Sequence, residues 1–182
     1  MLKGLRNLSE SSRNILVLAS GTTLAQSIPI AISPILTRIF SPEDFGVLAV
    51  YMAIVTLLAV MATGRYELAV MLPKRDRDAA HIVILSLLIA LIFSLISLAV
   101  VVLFNEDLLS LSGNIDLGYW LYFVPLSIFF VGCYNTLCLW NNRFKNYAAI
   151  SQSKIIQTSG MSATQLTVGA LKLWSAGLII GW

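Results

Sequence analysis

Four long runs without a charged side chain dominate this sequence: residues 14–37, 45–63, 82–104 and 117–140. Each is near or above the roughly 18 residues that a helix needs to cross a hydrocarbon core about 30 Å thick. Lipid offers no partner to a backbone N–H or C=O, so a chain immersed in it must form helices or a closed barrel. The apolar–polar alternation of an outer-membrane strand is missing, which leaves helices. Composition agrees: 58% of the 182 residues are hydrophobic, 12% are charged and the mean hydropathy is +0.84. A soluble domain carries roughly 25% charged residues. The expected fold class is therefore all-α, a polytopic transmembrane helix bundle.

A net charge of +3 does not point to nucleic acid, because that requires the cations on one face of a soluble domain. Here they flank the apolar runs. Lys3, Arg6 and Arg13 precede the first, Arg65, Lys74, Arg75 and Arg77 close the second, and Arg143, Lys145 and Lys154 follow the fourth. The opposite connections hold only Arg38 and Lys172. Positive-inside asymmetry then places the amino terminus in the cytoplasm. The first run is longer than a roughly 7–15-residue signal core and lacks a small-x-small cleavage site, so it is expected to be retained. Cys133 and Cys138 lie five apart on one helix, a poor geometry for a bridge. His81 has no Cys or second His at metal-ligand spacing and reads as an interfacial residue; no metal or cofactor is expected.

Along the chain, the first helix carries Gln26 and two prolines, Pro29 and Pro34. Two readings stand: a kink absorbed by packing, or a broken helix lining a cavity. In the following turn Ser41 is placed to cap a helix, with Pro42 at its first position and Glu43 and Asp44 in the first turn, where carboxylates suit the positive helix end. Arg38 either pairs with those acids or faces a cavity.

The second helix poses the central question. Its uncharged run passes through Gly64 into Arg65, Tyr66 and Glu67, then Leu68 to Leu72, and stops at Pro73. An apolar block such as 68–72 makes an odd cytoplasmic loop. A helix from 45 continued to 72 spans about 42 Å and carries Arg65 and Glu67 at inner-leaflet depth, ending at the cytoplasmic face. A charge facing lipid there is costly, so both must face protein or water. Two residues apart on an ideal helix they point about 200° from each other and cannot share a face unless Gly64 lets the backbone unwind. Interhelical ion pairs for both are the structural alternative to a site.

The third helix (80–104) is apolar nearly all round, its polar members being Ser86, Ser94 and Ser97, and is expected to face lipid. The loop after it holds Glu106, Asp107 and Asp116 without a cation. The fourth (117–140) begins with Tyr119, Trp120, Tyr122 and Phe123 and ends at Trp140, as interfacial belts do. A fifth segment (147–171) is loaded with hydrogen-bonding groups, including Gln152, Gln157, Ser162 and Gln165, which suit interhelix packing or a wet lumen. Its Lys154 is either a snorkelling end residue or a cavity cation. A partial sixth run, 174–182, stops about a third of the way across a bilayer. Residues 1–182 thus read as a single transmembrane domain of five full spans plus the start of a sixth, the chain of a truncated protein or a fragment.

Three stretches resemble the amino-terminal half of bacterial oligosaccharide flippases, the Wzx-type polysaccharide transporters of the MATE-like superfamily. They are residues 36–46 (LTRIFSPEDFG), 64–74 (GRYELAVMLPK) and 177–181 (GLIIG). The first two are fairly specific; the third is weak. The resemblance implies one lobe of a two-lobe transporter in the bacterial inner membrane. Its cargo would be an undecaprenyl-diphosphate-linked oligosaccharide, turned over for O-antigen, lipopolysaccharide, capsule or exopolysaccharide assembly. Arg65 is then the first candidate for a phosphate or sugar contact, Tyr66 for sugar stacking or hydrogen bonding, and Arg38 and Lys154 are further candidates. Glu67 would position Arg65, pair with another helix or bind a cation. No catalytic nucleophile is implied. The partners implied are lipid-linked oligosaccharide and membrane lipid, together with a missing second lobe, a second copy of the chain or other polysaccharide-assembly proteins.

Three other functions compete with this one: a cation-coupled exporter of drugs or metabolites with Glu67 as its ion site, a membrane-embedded lipid enzyme, and a non-transporting remnant. The enzyme lacks a cluster of acids, histidines or metal ligands near a membrane face.

Overall fold

The computed structural model describes residues 10–104 and 120–170. Among them there are five α-helices and no strand: α1 (Glu10–Ile39), α2 (Pro42–Thr63), α3 (Asp76–Leu103), α4 (Val124–Arg143) and α5 (Tyr147–Ala170). Short 3-10 helices cover Tyr66–Met71 and Trp120–Phe123. Four stretches are long and apolar enough to cross a membrane: Ser12–Ile39, Pro42–Thr63, Asp76–Leu103 and Trp120–Arg143. The fifth expected span is a helix, α5, but its glutamines, hydroxyls and Lys154 keep it out of this set. The start of a sixth span, the acidic loop residues Glu106, Asp107 and Asp116, and Lys172 lie outside the described residues.

Helix starts follow local chemistry. Pro42 opens α2 with Glu43 and Asp44 in its first turn, and Asp76 and Asp78 occupy the first turn of α3. Acids there complement the positive end of the helix dipole. α1 runs unbroken through Pro29 and Pro34, so the broken-helix reading of that segment does not hold.

Two compact units divide the chain. One combines Met1–Ser41 with Asn141–Trp182, the other is Pro42–Trp140. In the first, α1 packs against α5. Gly21 and Ala25 are buried on α1, and Ser151, Ser162 and Gln165 on α5. The hydroxyl of Ser151 donates to the Val17 carbonyl at 3.3 Å. Most remaining hydroxyls of these helices bond their own backbone one turn back, as Thr22 does to Leu18 (2.6 Å), Thr158 to Lys154 (2.9 Å) and Thr164 to Gly160 (2.9 Å). Such bonds hide polarity from hydrocarbon without a partner helix. A wet lumen is therefore not required to explain these self-bonded hydroxyls of α5.

In the second unit α3 is not lipid-facing all round. Ala79, Ser86, Ala90, Ser94 and Val101 are buried along it, at spacings that keep one face toward its neighbours. Ser94 donates to the Pro125 carbonyl at 2.7 Å, and Tyr51 of α2 shares a 2.7 Å hydrogen bond with Ser127 of α4. A Cβ built on Gly132 of α4 would lie 3.0 Å from Ala90 Cβ and 3.4 Å from Thr63 Cγ2, so α2, α3 and α4 meet closely at that point.

Candidate functional site

The link between α2 and α3 departs most from the expected structure. α2 does not continue to Leu72. It ends at Thr63, where Gly64 (φ 52°) and Arg65 (φ 57°, ψ 22°) adopt left-handed conformations. The Gly64 N–H closes the helix by donating to Met61 at 3.1 Å. Residues Tyr66–Met71 then form a 3-10 helix, with Leu68 donating to Arg65 (3.1 Å) and Leu72 to Ala69 (3.0 Å). Glycine reaches the left-handed region without strain, whereas arginine does so at a cost.

This backbone resolves which charge faces where. Residues three apart eclipse on a 3-10 helix, and Glu67 and Val70 are its buried pair, facing inward where the segment packs on α3. Arg65, Tyr66, Leu68, Met71 and Leu72 are exposed. The unwinding at Gly64 thus sends Glu67 into the protein and leaves Arg65 and Tyr66 outside. Among the described residues neither Arg65 nor Glu67 makes an ion pair, and Oε2 of Glu67 has no hydrogen-bond partner. A paired, purely structural role for both charges does not fit that arrangement. Exposed Lys74, Arg75 and Arg77 follow further along the same link and at the start of α3, interleaved with Asp76 and Asp78.

Arg38 is exposed in the last turn of α1 and Lys154 is half-buried on α5, both in the first unit. His81 is exposed, and Cys133 and Cys138 are free thiols. No group of three or more histidines, cysteines or acids gathers among the described residues. An apolar groove of about 490 Å³ runs between α2 and α3, lined by Val50, Ile54, Leu58, Phe93, Ile96 and Val100 among others. With Ser97 its only hydroxyl and no cation, the groove suits hydrocarbon and offers nothing to a diphosphate.

Sequence reasoning missed Ser86 and Thr136. Both are fully buried in the same unit, and the Ser86 hydroxyl has no partner. The available signal was the i, i+4, i+8 row Ser86, Ala90, Ser94, which marks a packed face and not a lipid-facing one.

Helices of this length and apolarity, tied by interhelical hydrogen bonds and joined by a cationic turn, define an integral membrane protein of the α-helical bundle class. Within that class the chain matches the model of the polysaccharide biosynthesis protein family over residues 11–180 and belongs to that family. No curated protein and no solved structure matches it significantly.

Proposed function

We propose that the chain carries out, as a flippase or as one lobe of one, the transfer of undecaprenyl-diphosphate-linked oligosaccharide across the bacterial inner membrane for O-antigen, capsule or exopolysaccharide assembly. The family match across nearly the whole chain carries this reading. The physical task agrees with the exposed chemistry of the α2–α3 turn. A diphosphate and a sugar head crossing hydrocarbon need cationic and hydrogen-bonding groups, and guanidinium is the side chain best matched to phosphate oxygens. Arg65 makes that contact at the cytoplasmic mouth, Tyr66 stacks on or hydrogen-bonds the sugar, and Lys74, Arg75 and Arg77 draw the anion toward them. Arg38 and Lys154 take further contacts along the route. In this reading α5 is a fifth span, held in the bilayer through its contact with α1 and its self-bonded hydroxyls, and the amino terminus is cytoplasmic.

The test is translocation of a fluorescent undecaprenyl-diphosphate oligosaccharide in proteoliposomes holding the protein. Arg65→Ala should slow transfer at least tenfold at equal protein level, a loss of about 1.4 kcal/mol or more. Unchanged transfer would remove Arg65 from the route. Equal transport of an unrelated organic cation, with no oligosaccharide transfer, would favour the exporter reading instead.

A further inference from the structure

We propose that one side of the α1–α5 pair, centred on Gln26 and Gln157, binds the sugar hydroxyls of the cargo, an inference that rests on the flippase reading. The pair has a defined register. A Cβ on Gly21 would overlap the Ser151 hydroxyl, and that hydroxyl donates to Val17, so Gly21 and Ser151 face each other directly. The other buried residues lie in one direction from that contact, Ala25 and Leu36 on α1, Ser162 and Gln165 on α5. The two helices therefore run parallel. Each step along an α-helix turns the side chain by about 100° and advances it by about 1.5 Å. Gln26 thus stands about 140° from Gly21, and Lys154, Gln157 and Gln165 about 60°, 120° and 40° from Ser151 in the opposite sense. In facing parallel helices, turns of opposite sense reach the same side of the pair. Gln26 and Gln157 also come to nearly the same height, about 8 Å and about 9 Å beyond the Gly21–Ser151 contact.

Four of the five glutamine and lysine residues of α1 and α5 thus share one side, and the fifth, Gln152, stands near the start of α5. The other side bears Leu24, Ile35, Ile156 and Leu166. Gln26 and Gln157 are exposed, and Gln26 lies at the middle of the 28-residue span Ser12–Ile39. Among the described residues, the side chains of Gln26, Lys154 and Gln157 make no hydrogen bond or ion pair. Amides at that depth are strongly disfavoured against hydrocarbon, so this side meets something polar. A helix seated on it would need polar side chains at matching heights. The exposed faces of α2 and α3 do not supply them, with Leu57, Val60 and Met61 on one and Ile92, Leu95 and Ile96 on the other. A glycan does: each sugar hydroxyl both donates and accepts, as each glutamine amide does. α5 holds no acid and α1 only Glu10 at its start, so the charge of Lys154 is left for an anionic group of the cargo.

Binding of a fluorescent undecaprenyl-diphosphate oligosaccharide to the purified full chain in lipid nanodiscs tests the surface, with sugar-free undecaprenyl diphosphate as a second probe. Gln26→Leu and Gln157→Leu should each weaken oligosaccharide binding about three- to tenfold and leave binding of the sugar-free lipid unchanged. Leu24→Ala, on the other side, should change neither. In a chain carrying Cys133→Ser and Cys138→Ser, Gln26→Cys and Gln157→Cys should react with a water-soluble maleimide and be shielded by the oligosaccharide, whereas Leu24→Cys should not react. Undiminished oligosaccharide binding in both leucine variants overturns the inference and leaves the flippase reading standing. Equal losses for the two probes refute a sugar contact, and equal maleimide reactivity at positions 24 and 26 refutes the sidedness. A wild type that binds neither probe overturns both readings. Disulfide-linked pairs of Gln26→Cys chains that resist the maleimide would give this side to a second copy and overturn the inference as well.

Discussion

Substituting Gly21 by alanine probes the α1–α5 contact of the first unit. A Cβ at this position would overlap Ser151 Oγ, lie 2.7 Å from Ser151 Cβ and come within 3.4 Å of its Cα. The hydroxyl can rotate away, giving up its 3.3 Å bond to Val17. The Cβ–Cβ approach cannot be relieved that way, because carbons prefer about 3.5–4.0 Å and the helices must part by roughly 1 Å. Overpacking of that kind costs about 1–3 kcal/mol, while replacing a helical glycine returns up to about 1 kcal/mol of propensity. The net expectation is a loss of about 1–2 kcal/mol. Unfolding in mixed micelles by a denaturing detergent measures it, and the partner position separates packing from any other effect. Ser151→Gly in the Gly21→Ala background should restore most of the loss, since one Cβ then occupies the space of the other. Ser151→Ala should restore little, because its Cβ remains. A Gly21→Ala protein as stable as the wild type, or equal rescue by both partners, would refute the close approach of these helices.

Four further perturbations follow from the geometry. Gly132→Ala should cost about 1 kcal/mol through its 3.0 Å approach to Ala90, whereas Gly46→Ala and Gly160→Ala, which meet open space, should be neutral or stabilising by the same unfolding assay. Gly64→Ala should destabilise by about 1–2 kcal/mol because φ is +52° there. Arg65→Gly should raise stability yet abolish transfer, while Arg65→Lys keeps the charge; parallel stability and transport measurements on the two distinguish strain from recognition. Ser94→Ala, which leaves the Pro125 carbonyl without its 2.7 Å donor, should cost about 0.6 kcal/mol and no more than about 1.7 kcal/mol, the average and maximum for interhelical bonds in membranes.

Most of the helical architecture could be read from charge-free runs, because a backbone in lipid has so few ways to satisfy its polar groups. The expectation failed at residues 64–72, where periodicity is uninformative: Leu68 to Leu72 is equally apolar as α-helix or 3-10 helix. What decides there is tertiary, namely the burial of Glu67 and Val70 against α3. α5 was legible as a helix whose polarity suggested interhelix packing or a wet lumen; its contact with α1 and the hydroxyls turned onto their own backbone favour packing. Arg65, Tyr66 and Glu67 drew notice through their charge and position. Ser86 and Thr136 did not, since a hydroxyl in an apolar helix looks the same in sequence whether it faces lipid or a packed neighbour.

The break after Thr63 has an energetic logic that a continuous helix lacks. Carried on to Leu72, α2 would be about 46 Å long, half as long again as a hydrocarbon core of about 30 Å. One end would then project into water, and with the helix anchored at Pro42 that end is the apolar block. Leu68, Met71 and Leu72 are 50%, 46% and 80% exposed among the described residues. Each such side chain withdrawn from water gains about 1.5–3 kcal/mol when fully buried, and even half of that for three residues exceeds the roughly 1–2 kcal/mol that a left-handed arginine costs. Breaking the helix at Gly64 and Arg65 instead lays the 3-10 segment against α3. The same turn leaves Arg65 exposed, with Glu67 directed inward. The strained arginine is thus a consequence of placing apolar residues.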